Sequence, residues 1–151
     1  MVTAEAITRS LHDHWSVGFT ASTTAYPGQQ LETSALADWV ELWVEMWDEA
    51  IRRDVAPCAV DVAVTVHCFS RSVSAVTRGQ RLADAARSVL SHQTIEVRDF
   101  EMSGEPLLGH VRLREAETRD LTRRDGDENR GVLQHVVVVV GGRADSLVAA
   151  S

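Results

Sequence analysis

The residues between Gly131 and Gly141 constrain this chain more than any others. They read Val-Leu-Gln-His-Val-Val-Val-Val-Val, from Val132 to Val140. Val136 to Val140 are all β-branched, which restricts their rotamers in a helix and suits the pleat of a sheet. The distance between the glycines is strand length. Val136, Val138 and Val140 point one way, Val137 and Val139 the other. Both faces want cover. That places the strand inside a sheet, with helices on one side and another layer or a neighbouring subunit on the other. The glycines are expected to end it, which leaves residues 143–151 as a C-terminal tail.

Other segments fall in place around this strand. Thr3 can cap a helix running to about Val17, with Ile7, Leu11 and Trp15 on one face. Thr20 to Tyr26 reads as a short strand, and Pro27-Gly28 as a turn opening an ordered loop to Ala37. Cys58 to Phe69 alternates cleanly: Val60, Val62, Val64 and Val66 against Asp61, Ala63, Thr65 and His67. Ser74 can cap a helix reaching about Ser91, striped by Leu82, Ala86, Val89 and Leu90. Gly79 weakens that helix by ~1 kcal/mol relative to alanine, so close packing on the sheet is its expected reason. Thr94–Phe100 and Gly109–Glu117 alternate as short strands. The charged run Arg119–Arg130 joins two strands as a long hairpin loop or exposed ribbon.

Asp38 to Trp47 fits two periods. With period two, Val40, Leu42, Val44 and Met46 oppose Trp39, Glu41, Trp43, Glu45 and Trp47. With a helical period, Leu36, Trp39, Val40, Trp43, Trp47 and Ile51 form a stripe. Periodicity does not decide; the strand is the reading adopted, with Asp48–Pro57 as a connecting loop. The sum is one α+β domain over residues 1–142: a mainly antiparallel sheet of about four to six strands, packed by two helices.

Composition narrows the function. A chain of 151 residues with net charge −7 is ill suited to non-specific nucleic-acid binding, which depends on neutralising phosphates. All fifteen basic residues are arginine, most simply a codon bias. No stretch reaches the ~20 apolar residues of a membrane helix, and no signal-peptide pattern opens the chain. Cys58 and Cys68 share one expected strand, far beyond the ~7 Å that a disulfide can bridge. They read as buried thiols in a reducing compartment.

Catalytic and metal motifs are hard to find. His12 and His14 are two apart on a helix and do not share a face. His67 and Cys68 are neighbours on a strand and point to opposite faces. His135 sits among valines. Asp125-x-Asp127-x-Asn129 lacks the glycine and the downstream glutamate of a calcium loop. No phosphate loop and no nucleophile elbow is present. No metal or cofactor is therefore expected. The tryptophans say more. If 38–47 is a strand, Trp39, Trp43 and Trp47 share a face with Glu41 and Glu45. That face is either core beneath the second helix or a subunit interface.

Taken in order, several stretches carry a resemblance. They are Tyr26-Pro27-Gly28-Gln29, Asp38-Trp39-Val40-Glu41, Cys68-Phe69-Ser70-Arg71, Arg81-Leu82-Ala83-Asp84-Ala85-Ala86, Arg98-Asp99-Phe100 and Gly131-Val132-Leu133-Gln134. Their order, spacing and hydrophobic pattern over residues 1–142 resemble the tail terminator proteins (minor tail or tail-completion proteins) of long-tailed bacteriophages and phage-derived particles. That resemblance implies a non-enzymatic virion protein of the tail neck, assembled in the host cytoplasm. It would form a hexameric ring on the head-proximal end of the tail tube, stop tube polymerisation and dock to the head–tail connector. DNA would pass through the hole without specific binding.

Two sets of residues suit those demands. Trp39, Glu41, Trp43, Glu45 and Trp47 are expected at the subunit interface. Arg119, Arg123, Arg124, Asp125, Asp127, Glu128 and Arg130 are expected to face the tube or the connector. The alternatives are a head-completion or stopper protein of the neck, and a small α+β enzyme or ligand-binding domain. The latter would place its site over the sheet near His67, His135 and Arg112, and would need a concave pocket.

Overall fold

A computed structural model of the chain describes residues 2–48, 59–72, 74–122 and 133–147. Among these described residues, two helices and seven strands follow one another as α1 (Ala4–Gly18), β1 (Thr24–Ala25), β2 (Asp38–Asp48), β3 (Ala59–Ser70), α2 (Arg78–Leu90), β4 (Thr94–Arg98), β5 (Leu107–Leu113), β6 (Glu117–Asp120) and β7 (Gln134–Ser146). One sheet holds all the strands, in the order β1-β2-β3-β7-β5-β4, with β6 also pairing to β7. Every pairing is antiparallel except β1 with β2. The α+β class is as expected. The short strand expected within Thr20–Tyr26 is β1; the count exceeds four to six because β6 is too short and too polar to leave a periodic signal.

Valine alternation sets the core. Val62, Val64 and Val66 of β3 oppose Gly142, Val140 and Val138 of β7. These valines are 1% exposed or less. Leu42 of β2 pairs with Val66 and joins the same face. Both helices bury their stripes in this one cluster, α1 through Ile7, Leu11 and Trp15, α2 through Leu82, Ala86 and Leu90. Thr3 caps α1 as expected, its Oγ1 accepting from Ala6 N–H at 3.1 Å. The 38–47 ambiguity resolves to a strand. Its aliphatic side fits the β3 register residue for residue, which no helix could do.

Three expectations need correction. Ser74 does not cap α2, which starts at Arg78 with Thr77 at the cap position and no side-chain cap bond from it. Gln134 of β7 takes that role from across the core. Its Oε1 accepts the Gly79 N–H at 2.8 Å, and its Nε2 donates to the Ala75 and Ser72 carbonyls at 3.0 and 3.3 Å. Gly79 permits the approach, since a Cβ there would lie 3.2 Å from Gln134. A cap from another element leaves no local sequence signature.

The second correction concerns Gly141-Gly142, which do not end β7. The strand runs through them to Ser146, so residues 143–146 belong to the sheet and not to a tail. A Cβ on Gly142 would sit 2.6 Å from the Arg112 carbonyl, so the glycine marks where β5 comes alongside. The third concerns the charged run. Its first residues form β6, with Arg119 paired to Val137. Arg123, Arg124, Asp125, Asp127, Glu128 and Arg130 lie outside the described residues, as do Cys58 and most of the expected 48–57 loop.

Gln134 gives a direct test of the packing. Gln134→Leu preserves the side chain's volume and strands a buried N–H and two carbonyls. We expect it to lower stability by at least about 2 kcal/mol, read as a reduced urea midpoint at unchanged slope.

Candidate functional site

The two helices cover one face of the sheet, and the odd-numbered residues of β2, β3 and β7 fall on the other. Among the described residues no helix lies on that second face. Cross-strand register arranges it in rows: Trp39–Phe69–His135, Glu41–His67–Val137–Arg119, and Trp43–Thr65–Val139–Glu117.

The first two rows are self-packed. Trp39 stacks on Phe69 at 5.1 Å between ring centroids, and Phe69 on His135 at 4.5 Å. The Arg71 guanidinium lies 4.6 Å from the Trp39 ring centroid, in cation–π contact, and its Nη1 donates to the Thr33 and Leu36 carbonyls. This clamp ties the loop before β2 to the aromatic tier and leaves Trp39 only 5% exposed. Its Nε1–H is buried without a partner among the described residues. Beside it, His67 Nδ1 lies 2.9 Å from His135 Nε2. One ring must donate to the other's lone pair, so the contact tolerates one protonated ring but not two, which would leave two donors facing each other. Burial, then the neighbouring His67, push the His135 pKa down, while Glu41 and Asp120 pull the other way.

Among the described residues the third row is open: Trp43 is 46% exposed and Val139 37%, and further along β2, opposite Asp61, Trp47 is 51% exposed. The expected tryptophan face therefore exists. The alternative that α2 covers it is wrong, because α2 packs on the opposite side of β3 and β7. Trp39 differs from its two companions: the chain buries it with its own Arg71 and Phe69. Sequence reading missed that pair; it did set His67 and His135 near one another over the sheet, as the alternative site, without foreseeing their direct contact. The signal available was the cross-strand sum that brings 39, 69 and 135 into line, which needs the register first.

Cys68 is on the helix-covered face, and burial pushes its pKa up to about 12, so it remains a thiol. Among the described residues no group of three or more His, Cys, Asp or Glu is arranged to hold a metal. A cleft of about 440 Å³ lies beside α1, lined by Arg9, His12, Asp13, Tyr26 and Phe100 among others. Another of about 600 Å³ lies between the 25–33 loop and the β2 residues Glu41 and Trp43. Neither includes His67, His135 or Arg112.

No protein-family model and no curated protein matches the chain. Solved structures do. One, whose designation states no activity, matches with a TM-score of 0.66 at 12% identity, covering 100% of both chains. Another is a chain in the virion of a native gene transfer agent particle. It has a TM-score of 0.58 at 14% identity, covering 94% of this chain and 96% of that one. At such identities the likeness is one of fold.

His135 carries a pH signature. His135 is depressed below its ordinary 6.5, so the folded state holds the proton less well than the unfolded chain. Its contribution is present above about 6.5 and is lost as pH falls through the lower folded value. His135→Gln should therefore lose less thermal stability than wild type on going from about pH 7 to pH 5. NMR titration should place the His135 midpoint below 6.5.

Proposed function

We propose that this chain is a structural, non-enzymatic component of a phage-like virion: a tail terminator. Six copies form a ring on the head-proximal end of the tail tube, end its growth and present a docking surface to the head–tail connector. The observation that carries this reading is the bare sheet face. Trp43, Trp47 and Val139 stand exposed together, opposite a face that two helices already cover. Large aromatics beside Glu41 and Glu45 suit a packed protein–protein contact. Support comes from the fold shared with a chain of a gene transfer agent virion over nearly the whole of both chains. The order of sequence features favours the terminator among virion parts. The acidic net charge of −7 suits a passage through which DNA slides without adhering.

A ring uses a heterologous contact repeated about an axis. We expect the purified protein to show, by mass photometry, a species six times the 16.6 kDa chain mass. Trp43→Glu, at an exposed position, should keep the circular dichroism of the wild type and lose that species. Intact rings in the variant would remove the tryptophan row from the interface. A pull-down with the tube protein separates a terminator from a neck stopper, which would bind the connector alone.

The remaining charged residues, Arg123, Arg124, Asp125, Asp127, Glu128 and Arg130, are assigned to the tube or the connector. Reversal of Arg123 and Arg124 to glutamate should leave the ring intact and reduce joining of heads to tails. Wild-type tail length and joining would refute this assignment.

A further inference from the structure

The two ends of the sheet are treated differently. At β4, the outward N–H of Arg98 is taken by Ser10 Oγ of α1 at 3.1 Å, so α1 closes part of that edge. At β2, an eleven-residue strand, β1 covers only Val40 and Glu41. Val40 donates its N–H outward to the Thr23 carbonyl. By antiparallel alternation, the backbone groups of Val44 and Met46 point outward as well. Among the described residues no strand receives them. This stretch has no proline, no lysine and no register shift against β3, devices that usually keep an edge from pairing.

A second open edge faces the other way. Strand β6 pairs only with β7 among the described residues, and all four of its residues are exposed. Leu121 donates its N–H to the His135 carbonyl, so Glu117 and Arg119 also bond to β7, while the backbone groups of Thr118 and Asp120 point outward. Through β3 and β7, β6 runs opposite to β2. A second copy placed beside β6 in the same orientation therefore continues the alternation.

We infer that the open edge of β2 takes β6 of another copy as an antiparallel strand, with Val44 opposite Asp120 and Met46 opposite Thr118. Side-chain chemistry selects this register. On the bare face it sets Glu45 against Arg119, Trp43 against Leu121, which is 45% exposed, and Trp47 against Glu117. Opposite charges and apolar surfaces both meet. A slip of two residues puts Arg119 on a tryptophan instead. The self-paired alternative, β2 on β2 with Val44 opposite Met46, sets Glu45 against Glu45, which repels. The contact is heterologous, so it propagates from copy to copy and supplies the interface that the proposed ring requires. It rests on that reading only for the closure of the ring.

Disulfide trapping tests the pairing. In a Cys58→Ser background, Glu45→Cys and Arg119→Cys chains are mixed and oxidised, and crosslinked species are identified by mass. Within one copy the two positions are three strand spacings apart laterally, ~14 Å, and four residues out of line along the strands, so a bond must join two copies. We expect the mixed Glu45→Cys–Arg119→Cys dimer to dominate. We also expect Arg119→Glu to weaken assembly at least tenfold, and Glu45→Arg with Arg119→Glu to restore it. Assembly without the mixed crosslink would overturn the edge pairing and leave the ring standing. Monomers without crosslink would overturn both. A dominant Glu45→Cys–Glu45→Cys dimer would overturn the pairing in favour of a two-fold contact.

Discussion

The pairing of β3 with β7 is the constraint on which the rest of the structure depends. Their register runs unbroken from Ala59 opposite Asp145 to Ser70 opposite Gln134. Because a strand's side chains alternate with period two, a slip of one residue would turn Val62, Val64, Val66, Val138 and Val140 out of the core together. The register also sets what lies on the reverse face. Placing Val66 opposite Val138 brings His67 to Val137 and Phe69 to His135. The aromatic tier and the histidine pair are thus consequences of the core, and so is the position of Gln134, which holds the start of α2.

How much of this was legible follows from how local each signal is. The four-residue spacing of Ile7, Leu11 and Trp15 and the alternation of Val60 to Val66 are local, and they gave α1 and β3 to within a residue or two. The 38–47 stretch carries apolar residues at both periods, so only its partner strand could decide it. Features created by distant contacts were not legible. Gln134 capping α2 is one. Gly142, which reads as a strand end yet admits β5, is another. Strand β6 is a third: four polar residues hold no burial pattern, and the valines of β7 impose their conformation. At the candidate site the tryptophan row was visible in the sequence once a strand was assumed. That the chain would cover Trp39 and leave Trp43 and Trp47 bare was not, because Arg71 and the 31–37 loop supply that cover.

The contrast within the tryptophan row bears on function. Had the whole face been destined for water, Trp43 and Trp47 would gain nothing over polar residues, since exposed aromatics contribute little to a fold. Had it been destined for the chain's own core, a helix or loop would reach them as the Arg71 clamp reaches Trp39. Among the described residues, the chain instead packs one end of the face tightly and leaves the other end open beside a strand edge that no other strand pairs. A rigid, prepaid aromatic tier next to an adaptable edge reduces what must be ordered when a partner arrives. Exposed face and open edge meet at the same strand, β2, so a partner strand that satisfies the backbone of Val44 and Met46 also covers the side chains of Trp43 and Trp47. A partner that sits only on the face covers those side chains but leaves the Val44 and Met46 backbone groups unpaired, and that favours strand addition over simple face-to-face docking as the way this sheet is completed.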